Sequence, residues 1–454
     1  MKFLSKTIAV LSIFSVLSSS AFADTSALEA RLSALEQEIA VLKRQIEVDK
    51  EETAKKAPEL PIITANTKDG FSIKSPDDSF KLKIRGLVQA DARVFTGNSK
   101  DLSGTTDNFL VRRARPIFEG TVGKNFNFYI MPDLAVNASN TAQLVDAYAD
   151  FNVYPWLKFR GGKFKAPLGL ERLQSDAVAN FIETGLPSNL VPNRDVGFQV
   201  FGDVLGDSVN YAVGIFDGGA DLASVDTADN NNDKDIIGRV FALPFKNGGP
   251  EFFKGLGVGL AGSYGHNEGS TIPTYRSPGQ ASVFTYANTS ADGPHVRVSP
   301  QFYFYKGSWG LLGEYVSSSQ ELYRAANIKE TLTNTAWQLS TNYVLTGEVA
   351  SYKGITPRTV FDPSKGTWGA FELVGRYGAL DIDNSAFDRG FANLNTQISK
   401  EEAWAAGLNW YPHKNIRLSV DYEQTHFSRG AGGTGNSENR PTENLIFTRF
   451  QLAY

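Results

Sequence analysis

The sequence predicts an all-β fold: a sixteen-stranded antiparallel transmembrane β-barrel preceded by a short N-terminal coiled-coil helix. Three observations predict it. First, the chain ends on a strictly alternating strand. Tyr454, Leu452, Phe450, Thr448 and Ile446 share one face, and Ala453, Gln451, Arg449, Phe447 and Leu445 share the other. Apolar groups opposite Arg and Gln suit a wall between lipid and water. Second, fifteen further alternating segments precede it, joined along most of the chain by connectors that are alternately short and long. Third, Leu28, Leu32, Leu35, Ile39, Leu42 and Ile46 are spaced 4, 3, 4, 3, 4, an unbroken a/d heptad seam.

Composition is compatible with this fold. The apolar fraction is 41%, modest for a membrane protein, but a barrel strand turns only every second residue to lipid. The 42 glycines and 12% aromatics fit many turns and interfacial girdles. Lys2 and Lys6 precede an apolar run from Ile8 to Leu17 and then Ala21-Phe22-Ala23. Residues 1–23 therefore read as a secretory signal, with the mature chain starting at Asp24. After it, no run of about 18 apolar residues predicts a transmembrane helix. Cysteine is absent, which excludes thiol nucleophiles and Cys-based zinc sites. The formal charge of -4 becomes -6 without Lys2 and Lys6. No nucleic-acid partner is expected from such a balance.

Taken in order, residues 24–50 form the heptad segment, with Glu, Arg and Lys on its other faces. A strict 3.5-residue period over about three heptads is narrower than a surface helix needs, so a coiled coil that joins subunits is expected. Residues 51–79, with Pro58 and Pro61, read as a linker. The barrel occupies 80–454. In its first strand Phe80, Leu82, Ile84, Val88, Ala90 and Val94 alternate with Lys81, Lys83, Arg85, Gln89, Asp91 and Arg93. Strands follow at 108–120, 125–134, 143–154, 156–165, 196–202, 208–217, 235–243, 255–265, 294–305, 308–318, 332–345, 367–379, 399–410, 415–426 and 442–454. An apolar patch at 281–287 reads as a hairpin within a loop.

The connectors check the strand count. Residues 152–156, 202–207, 306–308 and 411–415 are tight, whereas 96–107, 166–195, 218–234, 266–293, 319–331, 380–398 and 427–441 are long. Short periplasmic turns and long outer loops produce this alternation, and an even strand number puts both ends of the barrel in the periplasm. Residues 346–366 break the rule, being long where a short turn is due. Sixteen tilted strands leave an aqueous lumen. Loop 166–195, third among the outer loops, is then expected to fold inward and form a constriction.

Four segments carry a family resemblance. Phe109-Leu110-Val111-Arg112-Arg113-Ala114-Arg115 resembles the second strand of the phosphate-selective porin O/P family. So do Gly162-Lys163-Phe164-Lys165-Ala166-Pro167-Leu168-Gly169-Leu170-Glu171, Asn342-Tyr343-Val344-Leu345-Thr346-Gly347-Glu348 and Asn409-Trp410-Tyr411-Pro412-His413-Lys414-Asn415. The resemblance covers residues 80–454 and extends to the long turn after Leu-Thr-Gly-Glu. It implies a homotrimeric outer-membrane porin of Gram-negative type, in contact with lipid and lipopolysaccharide, that passes small anions, with phosphate or pyrophosphate among them. Arg112 and Arg113 resemble the arginine pair that lines the family's anion path. The chain departs from the family pattern at Arg115, where phosphate-specific members tend to carry an aromatic residue. It departs again at Thr184, where an arginine usually follows the glutamate.

An anion path needs donors that replace part of a hydration shell, and arginine's planar fork suits phosphate oxygens. The candidates are Lys83, Arg85 and Arg93 on the first strand, Arg112 and Arg113 on the second, Lys158 and Arg160 on the fifth. Lys163, Lys165, Arg172 and Arg194 sit at or in the third loop. Consecutive strand residues face opposite ways, so Arg112 and Arg113 can both reach the lumen only through a bulge or an in-folded loop. The plain alternative is a polar interior in which Asp91, Glu119, Asp133, Asp146, Asp150, Glu171 and Glu183 neutralise these cations. The acidic stretches 217–235 and 381–388 read as solvated loops, and Asp226 to Asp233 lacks the Gly and Glu of an EF-hand. With four histidines and no phosphate-cradling glycine loop, no catalysis, cofactor or metal is expected. Two other readings stand beside the anion pore: a general or organic-anion porin, and a structural anchor acting through the heptad segment.

Overall fold

Alternating side chains make a strand with two unlike faces, and a closed sheet of such strands separates the faces into an inside and an outside. A computed structural model of the chain describes residues 25–56, 60–66, 70–97, 104–135, 141–225, 232–269, 272–324, 328–431 and 438–454. The expected signal sequence and the Asp226–Asn231 part of the acidic loop lie outside the described residues. The chain divides into two units, one ending at Leu60 and one comprising Pro61–Tyr454.

The first unit holds α1, Thr25–Lys56, a single helix of 32 residues, about 48 Å long at 1.5 Å per residue. It runs six residues beyond the expected coiled-coil segment because Glu51 to Lys56 contains no helix breaker. The heptad residues Leu32, Leu35, Ile39, Leu42 and Ile46 are all exposed.

In the second unit β1 (Ile62–Asn66) and β2 (Gly70–Lys74) form a hairpin that pairs with the start of β3 (Phe80–Phe95). This corrects the expected linker. Five-residue strands are too short to register as a period in sequence, yet their backbone groups are satisfied along the free edge of β3. The walls continue with β4 (Asn108–Val122), β5 (Phe126–Asp133), β6 (Gln143–Tyr154), β7 (Leu157–Phe164), β8 (Asp195–Val204), β9 (Val209–Phe216), β10 (Asp235–Ala242) and β11 (Leu256–Gly269). Then β12 (Thr274–Arg276) and β13 (Ser282–Thr285) form the hairpin expected within a loop. The wall resumes with β14 (Thr289–Lys306), β15 (Trp309–Arg324), β16 (Ile328–Val344), β17 (Ala370–Asp381), β18 (Ile398–His413), β19 (Ile416–Arg429) and β20 (Glu443–Ala453). Each wall strand pairs antiparallel with the next, and β20 returns to β3 from Leu445↔Phe95 to Ala453↔Leu87. The sheet is therefore a closed barrel of sixteen strands.

The barrel is apolar outside and polar inside. On β20, Ile446, Phe450 and Tyr454 are exposed, while Arg449 and Gln451 are buried. Arg449 bonds Asp91, its direct partner on β3, with Nε–Oδ1 at 2.6 Å and Nη2–Oδ2 at 2.7 Å. A bidentate ion pair thus clasps the closing seam from inside. At the chain end, Tyr454 exchanges two backbone bonds of 3.0 Å with Gly86. A Cβ at Gly86 would sit 2.6 Å from the Tyr454 ring, so a side chain there would push that ring aside. Short connectors sit on one rim; one is the Lys306–Trp309 hairpin, with Gly307 at φ 55°. The long loops sit on the other rim. Between β15 and β16 the expected long loop is mostly strand, because polar residues such as Glu321 and Lys329, 2.9 Å apart, extend the ladder beyond the apolar band. The long connector 345–369 belongs to the short-turn rim and turns inward, Tyr352 being hydrogen-bonded to the loop after β7.

Candidate functional site

Residues 165–194, between β7 and β8, run inside the barrel. A backbone inside a barrel has no sheet partner, so its polar groups need side chains from the wall. The wall supplies them. Glu314 accepts from the Leu170 N–H at 2.6 Å and the Glu171 N–H at 3.3 Å, and Asp421 accepts from the Ile182 N–H at 2.8 Å. Gln89 donates to Asp176 O at 2.9 Å, Gln451 to Ala177 O at 2.9 Å and Arg417 to Ala179 O at 2.6 Å. Asn409 donates to Asn180 O at 2.9 Å, Arg449 to Ile182 O at 2.8 Å and Arg376 to Glu183 O at 2.9 Å. The partners lie on β3 and on β15 to β20, so the loop spans the lumen rather than one wall. Bonds to charged groups contribute about 1.5–3 kcal/mol each, enough together to fix its course. Within the loop, the 3-10 turn at Leu186–Leu190 packs against β15 to β17, and Leu170 of α2 (Leu170–Leu173) packs with Leu312 and Phe241.

Two carboxylates of this loop organise the cations. Asp176 meets Arg113 at 3.3 Å, Lys165 at 3.5 Å, Arg194 at 3.7 Å and Arg115 in a short contact. Burial alone would raise its pKa, but Arg113, Lys165, Arg115 and Arg194 hold it well below the usual carboxylate range. Glu183 accepts from Arg112 at 2.6 and 3.2 Å and lies 3.6 Å from Arg93 and 3.8 Å from Arg449. Burial is likewise outweighed there by Arg112, and its pKa is lowered. Burial pushes Lys165 the other way for a lysine, down to about 7, against the pull of Asp176. Arg115 is also held by Asp133 at 2.7 Å and Arg194 by Asp146 at 3.5 Å, so four cations face three carboxylates here.

The arginine pair reaches the lumen through a bulge. Gln89 pairs with Arg113 and Ala90 with Val111, so Arg112 is the extra residue. The bulge shifts the alternation by one: Val111 is exposed outside, while Arg112 and Arg113 turn to Glu183 and Asp176.

Two cavities flank this belt. The one toward the short turns holds about 1110 Å³ and is lined by Lys83, Arg85, Arg160, Lys165, Asp146 and Asp176, with His413, Lys414 and Tyr454 near the rim. The one toward the long loops holds about 720 Å³ and is lined by Arg93, Arg112, Arg113, Lys163, Arg172, Asp133 and Glu183. Arg115 and Arg194 line both. Lysines and arginines outnumber carboxylates eight to three around the long-loop cavity and seven to two around the other.

Of the expected donors, Arg93, Arg112, Arg113, Lys163, Lys165 and Arg194 gather around this belt. Arg85 lines the short-turn cavity, paired with Glu119 at 2.7 Å, and Arg160 does so paired with Asp150 at 2.7 and 2.8 Å. Lys158 lies outside both cavity linings, toward the short-turn rim, 3.1 Å from Asp203 and over the Phe201 ring. Its place one residue into β7 puts it below the belt. Sequence reasoning missed Arg115 as a belt residue, Asp176 as the organiser, and Arg376, Arg417 and Arg449 as loop anchors. All four arginines lie on inward positions of their strands, a signal that alternation alone contains. A second network, Arg297 with Asp221 at 2.7 Å and Asp235 at 3.1 Å, His295 and Ser318, fixes the loop after β9 to the wall and is fully buried.

A closed sixteen-stranded barrel with an apolar exterior, a polar lumen and an in-folded loop defines a porin. The sequence model of the family described as phosphate-selective porin O and P matches residues 80–454, and the chain belongs to that family. It is an outer-membrane channel protein of Gram-negative type. Porin O of Pseudomonas aeruginosa is 22% identical over 409 residues, covering 83% of this chain and 90% of that protein. Among solved structures, the outer membrane channel DcaP of Acinetobacter baumannii aligns with TM-score 0.54 at 13% identity, over 84% of this chain and 99% of that one. The anion-selective porin from Comamonas acidovorans aligns with TM-score 0.51 at 12% identity, over 83% and 100%.

Proposed function

We propose that the chain is a passive, water-filled channel for small anions, with loop 166–195 forming the constriction. The observation that carries this reading is the excess of cations around both cavities, which meet at Arg115 and Arg194. An anion at that waist exchanges hydration for guanidinium and ammonium donors. Arg85, Arg93, Arg112, Arg113, Arg160, Lys163 and Lys165 line the path on either side. Phosphate or pyrophosphate are candidate ions, in keeping with the family description, and a relative in fold is an anion-selective porin. The exposed heptad face of α1 joins three copies as a coiled coil on the periplasmic side, and the apolar exterior contacts outer-membrane lipid and lipopolysaccharide.

The test is single-channel current in planar bilayers under a salt gradient, with phosphate as competitor. A reversal potential favouring anions, with chloride current blocked at low phosphate, supports an anion site. Anion preference without block leaves a general or organic-anion porin, a reading favoured by Arg115 standing where phosphate-specific members carry an aromatic residue. A cation preference refutes the proposal.

A further inference from the structure

We propose that the short-turn cavity binds planar aromatic carboxylates as they pass through the pore. This rests on the anion-channel reading and narrows its substrate. One cavity has two kinds of wall. Lys83, Arg115, Lys165 and Arg194 line it with charge, while Ile117, Tyr129, Met131 and Tyr148, from the neighbouring strands β4, β5 and β6, line it with apolar surface. Tyr129 and Tyr148 are direct cross-strand partners, their rings 5.2 Å apart and within 11° of parallel. Arg160 lies 3.9 Å from the Tyr148 ring centroid, and its two bonds to Asp150 hold it there. The guanidinium therefore continues the stack while its charge is matched.

The aromatic lining is confined to this side. Phe71, Tyr129, Tyr148, Phe164 and Tyr454 line the short-turn cavity, and among the described residues no aromatic side chain lines the long-loop cavity. The tyrosine hydroxyls are also poorly engaged. Tyr129 reaches only the Met131 sulfur, at 3.6 Å, and the Tyr148 hydroxyl has no hydrogen-bond partner among the described residues. Both side chains are half-buried, and the Tyr148 hydroxyl is open to the cavity.

A bare phosphate gains nothing from such a wall, because an apolar ring replaces none of its hydration. An anion with a flat apolar body gains from both walls. Its carboxylate takes the free donors of Arg115, Arg194 or Lys165, and its ring takes a stacking position beside the tyrosines. Aromatic pairs of this geometry strengthen binding by about three- to tenfold beyond area burial.

The experiment uses the full chain in planar bilayers and compares block of chloride current by acetate, cyclohexanecarboxylate, benzoate and inorganic phosphate, with acetate as the monovalent reference. Benzoate is expected to block at about three- to tenfold lower concentration than cyclohexanecarboxylate. Tyr148→Leu and Tyr129→Leu remove that advantage and leave acetate block unchanged, and Tyr148→Phe retains it. Equal block by benzoate and cyclohexanecarboxylate overturns the aromatic site while leaving an anion channel. A cation-selective pore that none of these anions blocks overturns the channel reading itself. Should the leucine variants give no channels, the ring comparison on the unmodified chain still decides.

Discussion

Replacing Arg115 by Gln and, separately, Asp176 by Asn changes the charge of the waist by one unit in opposite directions. The two groups are in contact with each other, and Arg115 also holds Asp133 at 2.7 Å. A unit charge about 4 Å from a passing ion is worth about 1 kcal/mol in water and about 4 kcal/mol at an effective dielectric constant near 20. The lower figure is about fivefold in occupancy. Screening in 0.1 M salt acts over about 10 Å, so it does not erase a contact this close. The chloride-to-potassium permeability ratio, read from the reversal potential under a KCl gradient, should therefore fall at least about fivefold in Arg115→Gln and rise by a comparable factor in Asp176→Asn. Arg115→Lys should stay near the parent. Asp176 does not hold the loop alone, since nine wall contacts bind its backbone from Leu170 to Glu183. If both neutralising variants shift the ratio in the same direction, the residues act through the shape of the loop and the electrostatic reasoning fails.

Three further outcomes are expected. Lysine ordinarily titrates near 10.4, but Lys165 does so at about 7 because it is buried. Its charge is present below that pH and lost above it, so anion preference should fall between pH 6 and 8, and Lys165→Met should flatten the profile. By linkage, the unfolded chain binds the extra proton between about pH 7 and 10.4, so this group's contribution to stability rises with pH across that window. Gly86→Val should cost about 1–3 kcal/mol through overlap with the Tyr454 ring, seen as a lower temperature for the loss of heat-resistant electrophoretic mobility. Deleting residues 24–57 should leave single-channel conductance unchanged and lower the recovery of trimers; a loss of current instead would place α1 in the conducting unit.

The wall was legible because its physics is local. Alternation between lipid and water repeats along every strand, and all sixteen expected strands are present, with the long turn 346–366 on the rim where the pattern put it. What alternation does not mark is a strand beyond the apolar band. β14, β15 and β16 run on through Asp292, Glu321 and Lys329, which read as loop. The β1–β2 hairpin was hidden for a related reason, since five residues on an edge carry little periodic signal. The belt was legible in part. Arg112, Arg113 and Arg194 could be named from residue type and position, and the need for a bulge followed from strand geometry. Glu183, the partner of Arg112, could be named among the acids, but Asp176 could not be, because it lies 61 to 63 residues from Arg115 and Arg113 and meets them only once the loop crosses the lumen. Lys158 fits by residue type, and it stands away from the belt because it lies at the start of β7 near the short-turn rim, paired with Asp203.

The bulge at Arg112 changes the step length of the pore. In a regular strand, side chains on one face are separated by two rises, about 6.8 Å. Arg112 and Arg113 have neighbouring Cα atoms, about 3.8 Å apart, and both face inward. On the proposed anion path, an ion leaving one guanidinium would already be within reach of the next, with no interval there lacking a donor. A deletion of Arg112 would restore an ordinary ladder to the sheet and open a gap in that proposed relay, so on this reading the irregularity in the backbone keeps the hand-over continuous.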